Sequence, residues 1–193
     1  MIVKYQGPDT DNQFKLLSGA HEGKIMKEMD QEDKEEVKTE VKDAGFLASY
    51  WFFKEPTNHD GYKTEGIKPN FEIETDVINF VNDESFAKQG KDFPKDRFSC
   101  EWKGYVLIEA AGKYTFSTKS DDGSRLWIDG KRIVNNWGLH GARERKGRIF
   151  LKEGWHTFRS TMFENGGGAS MIVKYSGPDT KNKMELLSGA HDS

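Results

Sequence analysis

From residue 44 onward the chain alternates apolar and polar positions in short runs, with Gly, Asp and Asn breaking the runs apart. Alternation with a period of two marks strands with one face buried. Phe46–Phe52, FLASYWF, predicts the first strand. Residues 54–98 are polar and irregular with scattered aromatics, and predict long loops with short strands. Strands are predicted at 105–108 and 114–118, around a segment Ala110, Ala111, Gly112, Lys113 that resembles a hairpin connection. Residues 126–128 and 131–134 flank Asp129 and Gly130. That dipeptide between alternating runs is a strong hairpin signal, because both residues tolerate positive φ. Segments 148–151, 155–163 and 170–175 continue the series. Many short strands at this spacing predict an all-β fold, an antiparallel β-sandwich.

The pattern differs ahead of this body. Residues 24–43, KIMKEMDQEDKEEVKTEVKD, predict a short charged helix. Asp30 suits its N-cap, Gln31, Glu32 and Asp33 its first turn, and Gly45 its end. Val37 and Val41, four apart, share one face. Its simplest role is a solvated spacer.

Residues 1–23, MIVKYQGPDTDNQFKLLSGAHEG, align without a gap on residues 171–193, MIVKYSGPDTKNKMELLSGAHDS. One reading is an internally duplicated hairpin within one domain. The favoured reading makes residues 1–23 the tail of a preceding repeat, 24–43 a charged linker, 44–180 the sandwich and 181–193 the start of the next linker.

Composition narrows the function classes. Apolar residues are 35% and charged residues 32% of the 193, with a net charge of -3 and both signs mixed. No basic stripe favours nucleic acid as a partner, and no apolar run predicts membrane insertion. Cys100 is the single cysteine, so no intrachain disulfide is expected. It leans weakly toward a reducing compartment.

Three loops carry candidate chemistry. Ser120-Asp121-Asp122-Gly123-Ser124 sets two carboxylates side by side between predicted strands, which suits a hard cation such as Ca²⁺ or forms an ordinary acidic turn. Phe163-Glu164-Asn165-Gly166-Gly167-Gly168-Ala169 offers the Asn165 side-chain carbonyl and accessible backbone carbonyls, or is a flexible turn. In the third, Trp137 and His140 can border a sugar, although a Trp here also reads as a plug under the loop. Ser124 is a further candidate ligand contact. No acid–nucleophile pair, nucleophile elbow, phosphate-cradling loop or Cys/His cluster stands out.

The run GYVLIEAAGKYTFSTKSDDGSRLWIDGKRIVNNWGLHG resembles the centre of the anthrax protective-antigen-type domain, found also in yeast flocculins, adhesins and glycosidases. EGWHTFRSTMFENGGGASMIVKYSGPD is similar to its C-terminal strands, and FLASYWFF and RFSCEWKGY extend the likeness over roughly residues 45–180. The resemblance implies a β-sandwich that binds carbohydrate or mediates adhesion. It implies Ca²⁺ held by Asp121 and Asp122, usually joined by a cis peptide, and by Asn165, with backbone carbonyls near Gly167 and Ala169. In the lectin members the metal touches sugar hydroxyls directly. Three glycines after Asn165 replace bulkier flocculin residues, and the flocculin disulfides are absent. The expected function is a non-catalytic, calcium-dependent glycan-binding adhesion module, with a glycan and neighbouring copies of the repeat as partners, outside the cell or on its surface. The alternative is a structural repeat of a fibre, stalk or ciliary appendage.

Overall fold

The computed structural model describes residues 42–192 and two short segments, Lys4–Tyr5 and Lys15–Leu16. The chain divides into two units, Met1–Thr39 and Glu40–Ser193. In the first, β1 (Lys4–Tyr5) pairs antiparallel with β2 (Lys15–Leu16), Lys4 opposite Leu16. The charged helix expected over 24–43 lies outside the described residues as far as 41. Lys42–Ala44 form a strand, β3. Gly45, expected to end the helix, instead joins two strands at φ 96°.

The second unit is a sandwich of two antiparallel sheets, as the alternation predicts. The eight-stranded sheet runs β10 (Lys131–Asn136), β9 (Ser124–Ile128), β12 (Gly154–Glu164), β7 (Phe98–Ile108), β15 (Ala190–Asp192), β3; β4 (Phe46–Phe52) joins it beside β7, and β5 (Phe71–Thr75) beside β4. The five-stranded sheet runs β11 (Arg143–Leu151), β8 (Gly112–Asp121), β13 (Ser170–Ser176), β14 (Glu185–Leu186), with β6 (Asn79–Phe80) beside β13.

The hairpin at Asp129 and Gly130 forms as expected. Their φ values are 49° and 72°, and β9 pairs directly with β10. The connection at 110–113 is not a hairpin. It carries the chain from one sheet to the other, because β7 pairs with β12 and β4 whereas β8 pairs with β11 and β13. Sequence alternation identifies two strands but not which neighbours satisfy their backbone groups. The irregular stretch also holds a short helix, α1 (Asp83–Ala87), capped by the Asn82 side chain, which accepts from Ser85 N–H.

Residues after 180 also depart from expectation. They return to the sandwich rather than begin a linker. β14 pairs with β13, and β15 inserts between β3 and β7. Leu187 and Ala190 are buried.

Aromatic side chains fill the space between the sheets. Trp102, Tyr50, Tyr114 and Phe46 are fully buried. The Phe46 ring lies 4.5 Å from Phe158, and Tyr50 stacks on Phe71 at 4.8 Å. Cys100 is fully buried on β7, and burial pushes its thiol pKa well up. A thiol reagent is therefore expected to leave Cys100 untouched in the native protein and to modify it on unfolding. Prompt modification without denaturant would contradict this packing.

Candidate functional site

Two crossovers between the sheets meet at one end of the sandwich. The chain leaves β8 at Asp121 and enters the other sheet at Ser124. It leaves β12 at Glu164 and returns through 165–169 to β13. Strand register brings them together: Asp121 lies opposite Ser170, Met162 lies opposite Ser124, and Phe163 N–H donates to Gly123 O at 3.0 Å. Gly123 fits because a Cβ there would press on the Gly138 backbone, 2.8 Å from its nitrogen.

Three carboxylates converge at this junction. Asp121 and Asp122 are joined by a cis peptide bond. One oxygen from each, with one from Glu164, all lie within 4.8 Å of one another. Asp122 anchors both neighbouring loops: its Oδ1 accepts from His140 N–H at 2.8 Å and its Oδ2 from Asn165 N–H at 3.0 Å. Asp122 N–H donates to Glu164 Oε2 at 3.1 Å. Glu164 is fully buried, and its Oε1 has no hydrogen-bond partner.

Like charges this close disfavour one another's ionisation, and burial adds to the effect. Desolvation, then repulsion from Asp122 and Asp121, pushes the Glu164 pKa up to about 8, against the pull of the Gly166 and Asp122 N–H groups. Burial and then Asp122 also raise Asp121, opposed by the Ala142 N–H and by His140. Oxygens within 4.8 Å of one another can all reach one Ca²⁺ at roughly 2.4 Å each. The buried, unpartnered Glu164 oxygen suits the same donor set. These residues fit a hard cation.

Other sequence-chosen residues take different places. Asn165 is half-buried beside the acids, and its side-chain carbonyl holds the neighbouring loop. It accepts from Thr57 N–H at 2.7 Å and from the Tyr62 hydroxyl at 3.5 Å. Gly167 and Ala169 lie on the same loop. Their N–H groups donate to Asp96 Oδ1 at 3.1 Å and Asp83 Oδ1 at 2.6 Å. Trp137 is half-buried and packs against Gly61. Its ring packs 4.8 Å from Phe163, its Nε1–H donates to Asp60 O, and the Arg125 guanidinium lies 3.9 Å over its face. The His140 ring is occupied by Asn136 O and Gly141 O, each at 2.9 Å. Ser124 is corrected outright: it is fully buried, with its hydroxyl bonded to Ser120 and Thr118, because strand alternation turns it inward.

Two features escaped the sequence reading. One is Glu164, which shares the inward face of β12 with Phe158, Ser160 and Met162. An acid in the buried register was a legible signal. The other is an open hollow of about 830 Å³ lined by Phe53, Lys54, Tyr62 and their neighbours. The Phe53 and Tyr62 rings stack at 4.0 Å. Asn165 ties this hollow to the acids, with its backbone on Asp122 and its side chain on Thr57 and Tyr62.

Comparison with known proteins agrees with this architecture. The chain is 40% identical over 60 residues to the anti-sigma-I factor RsgI3 of Acetivibrio thermocellus, which covers 31% of this chain and 9% of that protein. It is 26% identical over 92 residues to the protective antigen of Bacillus anthracis, 47% of this chain and 11% of that one. The chain thus spans only a small part of these relatives. A solved PA14 sugar-binding domain from an RTX adhesin superposes with a TM-score of 0.64 at 18% identity, over 77% of this chain and 99% of the other. The family model of the PA14 domain matches residues 47–186, and the chain belongs to that family.

Proposed function

We propose that this chain is a calcium-dependent carbohydrate-binding and adhesion module, one of several copies in its parent protein, working outside the cell or on its surface. The convergence of Asp121, Asp122 and Glu164, with the buried and unpartnered Glu164 oxygen, carries this reading. The sugar-binding domain of the RTX adhesin, built on the same fold, supports it.

Asp121, Asp122 and Glu164 would hold the ion. The Asn165 side-chain carbonyl, which also accepts from Thr57 N–H, and backbone carbonyls near Gly167 and Ala169 would complete the set. Bound there, Ca²⁺ supplies coordination positions that vicinal sugar hydroxyls take over from water. The protein's part is to hold the acids in place and to shape what approaches. Asp122 fixes the 138–140 and 165 backbones through its two oxygens. Asp83 and Asp96 fix the glycine loop. The stacked Phe53 and Tyr62 rings line the neighbouring hollow, an apolar wall against which a sugar ring can rest. We assign the chain no catalytic role.

A glycan screen with and without chelator tests this. Sugar affinity is expected to fall by more than tenfold when calcium is removed. Full affinity in chelator would leave the alternative, a structural repeat of an appendage in which the acid cluster rigidifies each bead.

A further inference from the structure

We infer that residues 1–23 are a second closing segment for the sandwich and that they complete the sandwich of a second copy of this chain. This rests on the tandem-copy reading only for the partner's identity.

The slot is the one filled by residues 171–192. There β13 pairs with β8 and β6, β14 pairs with β13, and β15 inserts between β3 and β7. The buried residues of this segment are Met171, Val173, Gly177, Thr180, Leu187, Ala190 and His191. Each has an identical counterpart in the first segment: Met1, Val3, Gly7, Thr10, Leu17, Ala20 and His21. The differences fall elsewhere. Gln6, Asp11, Gln13, Phe14, Lys15 and Glu22 stand where the second segment has Ser176, Lys181, Lys183, Met184, Glu185 and Asp192, all exposed or half-buried in the sandwich.

Two of the shared residues are glycines that the slot demands. A Cβ on Gly177 would be built into the Tyr114 ring, and one on Gly189 into Phe46. Gly7 and Gly19 keep both positions open. Pairing agrees as well. Lys4 faces Leu16 and Tyr5 faces Lys15 in the first hairpin, as Lys174 faces Leu186 and Tyr175 faces Glu185 in the second. A segment with the same inward residues, the same clearances and the same hairpin register meets the requirements of the slot. Exchange of such identical segments between copies is a low-cost route to assembly.

The intact chain tests this after refolding from denaturant, when each slot chooses between its own segment and a foreign one. An intramolecular segment competes at an effective concentration on the order of 1 mM. Sedimentation should then show a dimer making up roughly a tenth of chains at about 0.1 mM and growing with concentration. Val3→Asp with Leu17→Asp should abolish it. To locate the contact, Ile2→Cys chains are refolded with Lys119→Cys chains and oxidised, because Ile172, the counterpart of Ile2, lies opposite Lys119. A disulfide joining positions 2 and 119 of different chains is expected, and buried Cys100 does not compete for it. A monomer at every concentration overturns the inference. So does a dimer that lacks the 2–119 link when Ile172→Cys/Lys119→Cys closes within one chain. Calcium and sugar binding are read at other residues, so this can fail with the proposed function intact.

Discussion

Adding calcium to metal-free protein is expected to raise its melting temperature by roughly 5–10 °C at a hundred times the dissociation constant, and Asp121→Asn should abolish the rise. A ligand that binds only the folded state stabilises by about 2.7 kcal/mol at that excess, and each kcal/mol moves a domain of this size by about 2–4 °C. The site lies where the two sheets meet. One acid pair stands on the β8–β9 crossover and Glu164 stands where β12 leaves the other sheet. Asp121 is the better substitution. Both Asp122 oxygens hold backbone N–H groups, so replacing Asp122 would loosen two loops whether or not metal binds. An equal rise in wild type and Asp121→Asn would remove calcium from these carboxylates.

The second large effect has the opposite sign in the absence of metal. Glu164 has a folded-state pKa of about 8, well above an ordinary glutamate. The folded protein therefore holds this proton more tightly than the unfolded chain. The associated stability is fully present below about pH 4.5 and is lost as pH rises through about 8, at up to about 1.4 kcal/mol per pH unit. Asp121, raised in the same direction, adds to the slope. Glu164→Gln removes the buried charge and keeps an acceptor for Asp122 N–H. In chelator it should flatten this slope and melt above wild type at pH 8. In calcium the order should reverse, because the wild-type carboxylate ligates and the amide does so poorly. Denaturant titrations of both proteins at pH 5 and pH 8 would read this. A parallel pH slope in the two proteins would mean that Glu164 ionises without cost.

Most of the sandwich was legible because alternation is local. A half-buried strand must place apolar residues on every second position, so 46–52, 131–134 and 170–175 identify themselves. Asp129 and Gly130 likewise bear their turn on their face. The connection at 110–113 did not, because a crossover and a hairpin can use the same short residues. Residues 181–192 were also opaque. Their strands are short, and only pairing with β13, β3 and β7 makes them part of the sheets.

The candidate site divides in the same way. The amino-acid sequence by itself determined the strand alternation, the paired Asp121 and Asp122, the glycine loop after Asn165 and the near-identity of residues 1–23 with 171–193. These are properties of neighbours along the chain. Only the tertiary structure decided that Glu164 joins Asp121 and Asp122 in one acid cluster. It also decided that Ser124 lies inside and that Trp137 packs against Gly61 and Phe163. Register across two sheets brings residue 164 to residue 122, and no spacing along one strand contains that distance.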